Sequence, residues 1–127
     1  MTVGLSPTLL ANKWLNMLSA TAFTAPSACY IELHIGDPGI NGTTNPSVVT
    51  TRQAVTWSAA SGGALTLSNT PSFTMTGTET ISHVAVWDAS SAGNFLFSSA
   101  LTASKSVVAT DILQFATFGV SFTPIAA

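Results

Sequence analysis

YIELHIGDPGING, residues 30–42, decides how the rest of this chain is read. Its first half alternates. Tyr30, Glu32 and His34 fall on one side of an extended backbone, and Cys29, Ile31, Leu33 and Ile35 on the other. That is the period of a strand with a buried side and a polar side. Its second half turns. Pro38 fixes φ, and the flanking Gly36 and Gly39 tolerate the conformations a tight turn demands. Residues 41–46 (NGTTNP) continue as a loop.

The same grammar repeats downstream. RQAVTW at 52–57 reads as a strand, with Gln53, Val55 and Trp57 on one side, and 47–51 as a short strand or more loop. SAASGG at 58–63 breaks the chain, and Pro71 splits two short strands at 64–69 and 72–76. TISHVAVWD at 80–88 is the longest alternating run, with Ile81, His83, Ala85 and Trp87 opposed to Ser82, Val84, Val86 and Asp88. Both its faces are largely apolar, so it belongs in the middle of a sheet. ASSAGN at 89–94 is a hairpin turn, and 95–98 returns from it. Further strands are expected at 107–109, 112–115 and 119–123, with Pro124 as the stop. Short strands with turns every 8–12 residues or so predict a mainly β, single-domain β-sandwich or jelly-roll-like barrel.

One element differs. Ser6-Pro7 reads as a helix start, a capping hydroxyl before a proline suited to the first helical position. Over 8–19, Leu10, Trp14, Met17 and Leu18 fall on one face, which predicts an amphipathic helix. An N-terminal arm (1–5) and this helix fill about 1–20, and the β core about 28–124. The linker at 20–27 carries small residues and no charge, and is expected to be packed. The N-terminus lacks the basic start of a secretory signal.

Composition narrows the function. Of 127 residues, 46% are hydrophobic and only 6% are charged, against about 25% in an ordinary soluble domain. Such a surface is cheap to desolvate and gives copies little repulsion. It points to a protein packed against neighbours, since buried interface cores are poor in charge. Three basic residues and a net charge of −2 cannot build a phosphate-tracking patch, so no direct nucleic-acid partner is expected. One cysteine, Cys29, excludes an internal disulfide. No cofactor motif or metal-ligand spacing is present. No apolar run reaches the ~20 residues of a membrane span.

Four residues concentrate the polar chemistry: Glu32, His34, Asp37 and Arg52. A catalytic His34 would need a carboxylate to set its tautomer and a nucleophile to serve, and no nucleophile motif accompanies it. Asp37 suits an Asx-turn better than a calcium site, which needs several clustered oxygens. Arg52, the sole arginine, demands a partner. Glu32 or Asp37 is the expected one, pinning the long loop, with a carboxylate on a neighbouring chain as the alternative. All four are read as loop-pinning residues and none as catalytic. Trp14, Met17 and Leu18 on the helix are the candidate interface.

These stretches together resemble a family. The pattern is Y-x-x-L-H-x-x-D-P-G, then R-Q-x-x-x-W, then V-x-x-W-D before a glycine hairpin. Here it is carried by Tyr30, Leu33, His34, Asp37, Pro38, Gly39, Arg52, Gln53, Trp57, Val84, Trp87 and Asp88, over about 28–110. It resembles small β-rich virion structural proteins of tailed phages, notably those of actinobacteria, variously labelled head-decoration, minor tail or tail-fibre proteins. An acidic residue is expected after Asn45, where this chain has Pro46. The resemblance implies a virion location and no enzyme. It first implies a capsid decoration or cementing protein on the head exterior, a symmetric homo-oligomer bound to the major capsid protein. The alternative is a minor tail, baseplate or tail-fibre component with tail proteins as partners. A glycan-binding β module stands behind both.

Overall fold

The computed structural model describes residues 3–122. Among them the strands are β1 (Cys29–His34), β2 (Gln53–Val55), β3 (Ala64–Thr66), β4 (Ser72–Thr74), β5 (Glu79–Trp87), β6 (Phe95–Val107), β7 (Ile112–Gln114) and β8 (Gly119–Ser121). They form a four-stranded sheet in the order β2-β1-β5-β6 and two two-stranded sheets, β3-β8 and β4-β7. Every pairing is antiparallel. The fold is therefore mainly β with one N-terminal helix. Of the two expected architectures, sandwich or jelly-roll-like barrel, the described residues do not show the barrel: no sheet among them closes on itself. Thr123 and Pro124 lie outside the described residues.

β5 sits centrally, between β1 and β6. Ile31 and Leu33 of β1 and Val84 of β5 point to one side, where they meet Phe73, Met75 and Phe115 of the β4-β7 region in the main core. A second cluster, Leu10, Val86, Leu96 and Phe97, joins the helix to the same sheet. Each buried Leu, Val or Phe contributes about 1.5–3 kcal/mol relative to exposure.

The alternation read from the sequence breaks twice, both times at β5-β6. Between His83↔Ala100 and Ile81↔Lys105 the register shifts, and Ser82 alone faces residues 101–104. A bulge of this kind re-aims side chains. It turns Ile81 to the Val84 side, into the main core, although strict alternation would put it with His83. The second shift, between Val86↔Phe97 and Trp87↔Phe95, leaves Leu96 unpaired and facing the helix with Phe97. The arm is also part of the sheet. Ser6 N donates to Leu96 O at 2.7 Å and Ser98 N to Gly4 O at 2.8 Å, so it covers the start of the β6 edge.

The helix has three parts: a π-turn (Pro7–Ala11), an α-helical turn (Asn12–Asn16) and a 3₁₀ turn (Met17–Ser19). Ser6 caps it, its Oγ accepting from Leu9 N at 3.4 Å. A wide turn followed by a tight one changes the angle per residue, so one apolar stripe does not persist. Leu10 is buried and Trp14 half-buried, while Met17 is 62% and Leu18 84% exposed. The linker that follows also departs from expectation: it lies exposed apart from half-buried Phe23. Residues 47–51 form no strand; Pro46 makes a single bridge with His34.

Candidate functional site

The polar side of β1 is where the sequence concentrated its chemistry, and it is covered. Across it, register places Tyr30 opposite Trp87, Glu32 opposite Ala85, and His34 opposite His83. Ala85 and Trp87 are buried there with Phe95. The cover is the loop at 36–48. Ile35 N donates to Asn45 O and Ser47 N to Leu33 O, both at 3.0 Å, so the loop's return limb runs beside β1. Its tip folds down at Gly42, which is buried against the Phe95 ring. With φ at 72° and no room for a methyl group, this position requires glycine.

His34 is fully buried. Its Nδ1 lies 2.8 Å from Thr44 O. A carbonyl only accepts, so Nδ1 carries the proton, and Nε2 is a bare acceptor with no hydrogen-bond partner among the described residues. No carboxylate orients this ring and solvent does not reach it, so it has neither requirement of a general base. Asp37 forms the Asx-turn read from the sequence: its Oδ1 accepts from Gly39 N at 2.9 Å. Its backbone O also accepts from Asn45 Nδ2 at 3.0 Å.

Arg52 pairs with Glu32. Its Nε donates to Glu32 Oε2 at 2.8 Å, with both side chains nearly buried. Its Nη1 donates to the carbonyls of Ala89 at 3.0 Å and Ala92 at 2.7 Å. The guanidinium carbon sits 3.8 Å from the Trp87 ring centroid. The structure thus brings Arg52 to Glu32 and to the β5-β6 turn, not to Asp37 or the long loop. Asp88 shapes that turn from within, its two oxygens accepting from Asn94 N and Nδ2, both at 2.7 Å.

Sequence reasoning missed one member of this site. Glu79 lies 32 residues from Ser47, and only the fold joins them. Ser47 Oγ and Val48 N both donate to its carboxylate, the latter at 3.1 Å. Ser47 Oγ in turn accepts from Val49 N at 3.0 Å. No local spacing signals this contact; the one clue was an isolated charge at the start of a strand.

A second feature lies by the helix. An apolar cleft of 350 Å³ opens between it and the β3-β8 sheet, lined by Trp14, Phe23, Trp57, Phe97, Phe122 and Cys29 among others. Burial pushes the Cys29 thiol above its ordinary range; the Trp57 side chain works the other way, and the Asp88 charge adds to the rise. Met17 and Leu18, exposed, are not in this lining. The described residues hold no cluster of His, Cys, Asp and Glu able to bind a metal.

No curated protein matches the chain. A family described as "Podophage GP4 fiber I protein gp80" matches it over residues 5–123. That family reverses the order of the two leading expectations, placing fibre ahead of head decoration. With nearly the whole chain matched, from the arm laid on β6 to the end of β8, the protein belongs to this phage fibre family: it is a structural component of the virion and not an enzyme.

Proposed function

We propose that this chain is a tail-fibre component that works by contact, docking on neighbouring subunits through the exposed end of its helix. The family match over 5–123 is the observation that carries the fibre reading. The helix end supports the contact surface: Leu15, Met17 and Leu18 are 64%, 62% and 84% exposed, with only Lys13 charged in that helix. Apolar side chains in such a cluster mark interaction sites more often than isolated ones do. Trp14, half-buried behind them, anchors the surface to the apolar cleft. Glu32, His34, Asp37 and Arg52 act beneath the loops, holding them in shape. The chain assembles as a homo-oligomer and meets other tail proteins, each contact weak and repeated by symmetry.

Two experiments test this. Labelling the chain on purified virions should mark the tail; label spread over the head would return the decoration reading. Changing Leu15, Met17 and Leu18 together to Ser should leave the folded monomer intact and stop its incorporation into particles. Normal incorporation of that variant removes the helix end as the contact.

A further inference from the structure

We propose that a cavity at the start of the helix binds a neutral saccharide unit, with the buried indole N–H of Trp87 as its specific donor. Four segments far apart in sequence meet around this space of about 400 Å³. They are the helix start at 6–9, the loop tip at 40–43, the end of β5 at Trp87 and the turn at 93–95. That volume falls within the range of about 300–1,000 Å³ usual for small-molecule sites. The cavity lies at the opposite end of the helix from Leu15, Met17 and Leu18. It is separate from that docking surface and does not rest on it.

Trp87 is the residue that asks for a ligand. It lines the cavity and is only 6% exposed, and its Nε1 has no hydrogen-bond partner among the described residues. An indole nitrogen only donates, and a buried donor left unpaired is unfavourable. The ring is also held in place. The Arg52 guanidinium carbon sits 3.8 Å from its centroid, and Phe95 forms a T-shaped pair with it at 5.6 Å. A donor fixed in this way is preorganised for an acceptor.

The rest of the lining sets the ligand class. Thr8, Asn41 and Thr43 bring two hydroxyls and an amide, groups that both donate and accept. Their side chains are exposed and make no hydrogen bond among the described residues. Asn94 commits its Nδ2 to Asp88 and keeps its Oδ1 as an acceptor. Leu9, Ile40 and Phe95 add apolar surface, and no charged side chain lines the cavity among the described residues. Nearby, Arg52 is engaged by Glu32, Ala89 and Ala92, and both Asp88 oxygens by Asn94. An ion would therefore lose its hydration without gaining a counter-charge. A purely apolar molecule would leave the Trp87 N–H unpaired. A sugar meets both demands. One of its oxygens takes the Trp87 proton, its hydroxyls bond Asn41, Thr43 and Asn94, and its C–H face packs on Leu9 and Ile40.

Nuclear magnetic resonance of the nitrogen-15-labelled full chain tests this. Its three tryptophans give three indole N–H signals. Trp87→Phe, which keeps a ring and removes the donor, assigns the one that matters; if that variant does not fold, contacts with Phe95 assign it. Glucose, galactose, rhamnose and N-acetylglucosamine are titrated separately, with inorganic phosphate and glycerol as controls. At least one sugar should move the Trp87 signal to lower field and saturate with a Kd of about 1 mM or tighter. The Trp14 and Trp57 signals should stay in place. Asn41→Ala combined with Thr43→Ala should weaken binding at least about tenfold without lowering the thermal midpoint. The Leu15, Met17 and Leu18 to Ser variant should bind the sugar as the parent does. Failure of the docking surface and failure of this site are thereby read separately. The proposal is overturned if no sugar moves the Trp87 signal, or if phosphate or glycerol moves it as far. It is also overturned if Trp14 and Trp57 shift with it, which would put the sugar in the apolar cleft, or if the Asn41, Thr43 variant binds unchanged.

Discussion

Arg52 is the side chain on which most of the local order converges. One guanidinium joins β1, through Glu32, to the β5-β6 turn, through Ala89 and Ala92, over the face of Trp87. A planar fork can do all of this at once; an ammonium cannot. Arg52→Lys should lower stability by about 1–2 kcal/mol. Arg52→Ala should cost about 3 kcal/mol or more, because it leaves Glu32 nearly buried and unpaired. Urea unfolding of the two variants checks the ranking, and equal stability of Arg52→Lys and the parent would show the fork to be unnecessary. Cys29 gives a pH test at the same scale. Its thiol is raised by burial, so the folded chain holds that proton more tightly than the unfolded one. The stabilisation is present below the ordinary thiol range and is lost as pH rises through it. Thermal melts above pH about 8.5 should fall more steeply for the parent than for Cys29→Ala.

The helix and β6 are the elements the tertiary structure reshaped most. Only the first turns of the helix meet the sheet, through Leu10 and half-buried Trp14. Leu10→Ala should therefore cost about 2–4 kcal/mol by leaving a cavity. Leu18→Ala, 84% exposed in the parent, should stay within about 0.5 kcal/mol. Denaturant midpoints distinguish this from a uniform amphipathic helix, for which both losses would be large. β6 runs from Phe95 to Val107 as one element, where the residue pattern suggested separate strands at 95–98 and 107–109. The intervening LTASKS (101–106) is polar enough to read as loop because it is largely solvent-exposed. The Ser82 bulge keeps it attached to β5 without placing it in the core.

At the scale of the whole molecule, the scarcity of charge sets how it associates. The described residues contain one ion pair, Arg52–Glu32, and it is internal. With so few charged groups, contacts with other virion subunits are expected to rest mainly on apolar and uncharged polar groups, which salt screens little. Virions carrying this chain should keep it through washes at about 1 M salt, where the Debye length is about 3 Å. Gel densitometry of washed particles measures this; release by salt alone would mean that charge pairs hold it. The low charge also makes the covered β1 face consequential. A chain with so few repelling groups keeps its Trp87 and Phe95 under a loop, and the loop is fastened by hydrogen bonds to His34 and Glu79.

Residue order alone placed every strand but the full run of β6, along with the Asp37 turn and the Ser6-Pro7 helix start, because each is set by neighbours within a few positions. Period-two alternation, a fixed proline φ and a capping hydroxyl are local properties of the chain. It also set catalysis and metal binding aside as expectations, because no nucleophile motif and no ligand spacing accompany His34 and Asp37. What the tertiary structure decided is long-range. The polar side of β1 is covered, with His34 fully buried, because a loop closes over it through Ser47, Gly42 and Thr44. Arg52 took Glu32 and not Asp37 because strand register set the distance. Ile81 changed sides because of a bulge that no alternation shows. Met17 and Leu18 were left in solvent because the helix changes pitch before it reaches them. In each case the deciding contact lies between segments far apart in sequence, and a period read along the chain carries no information about what packs across it.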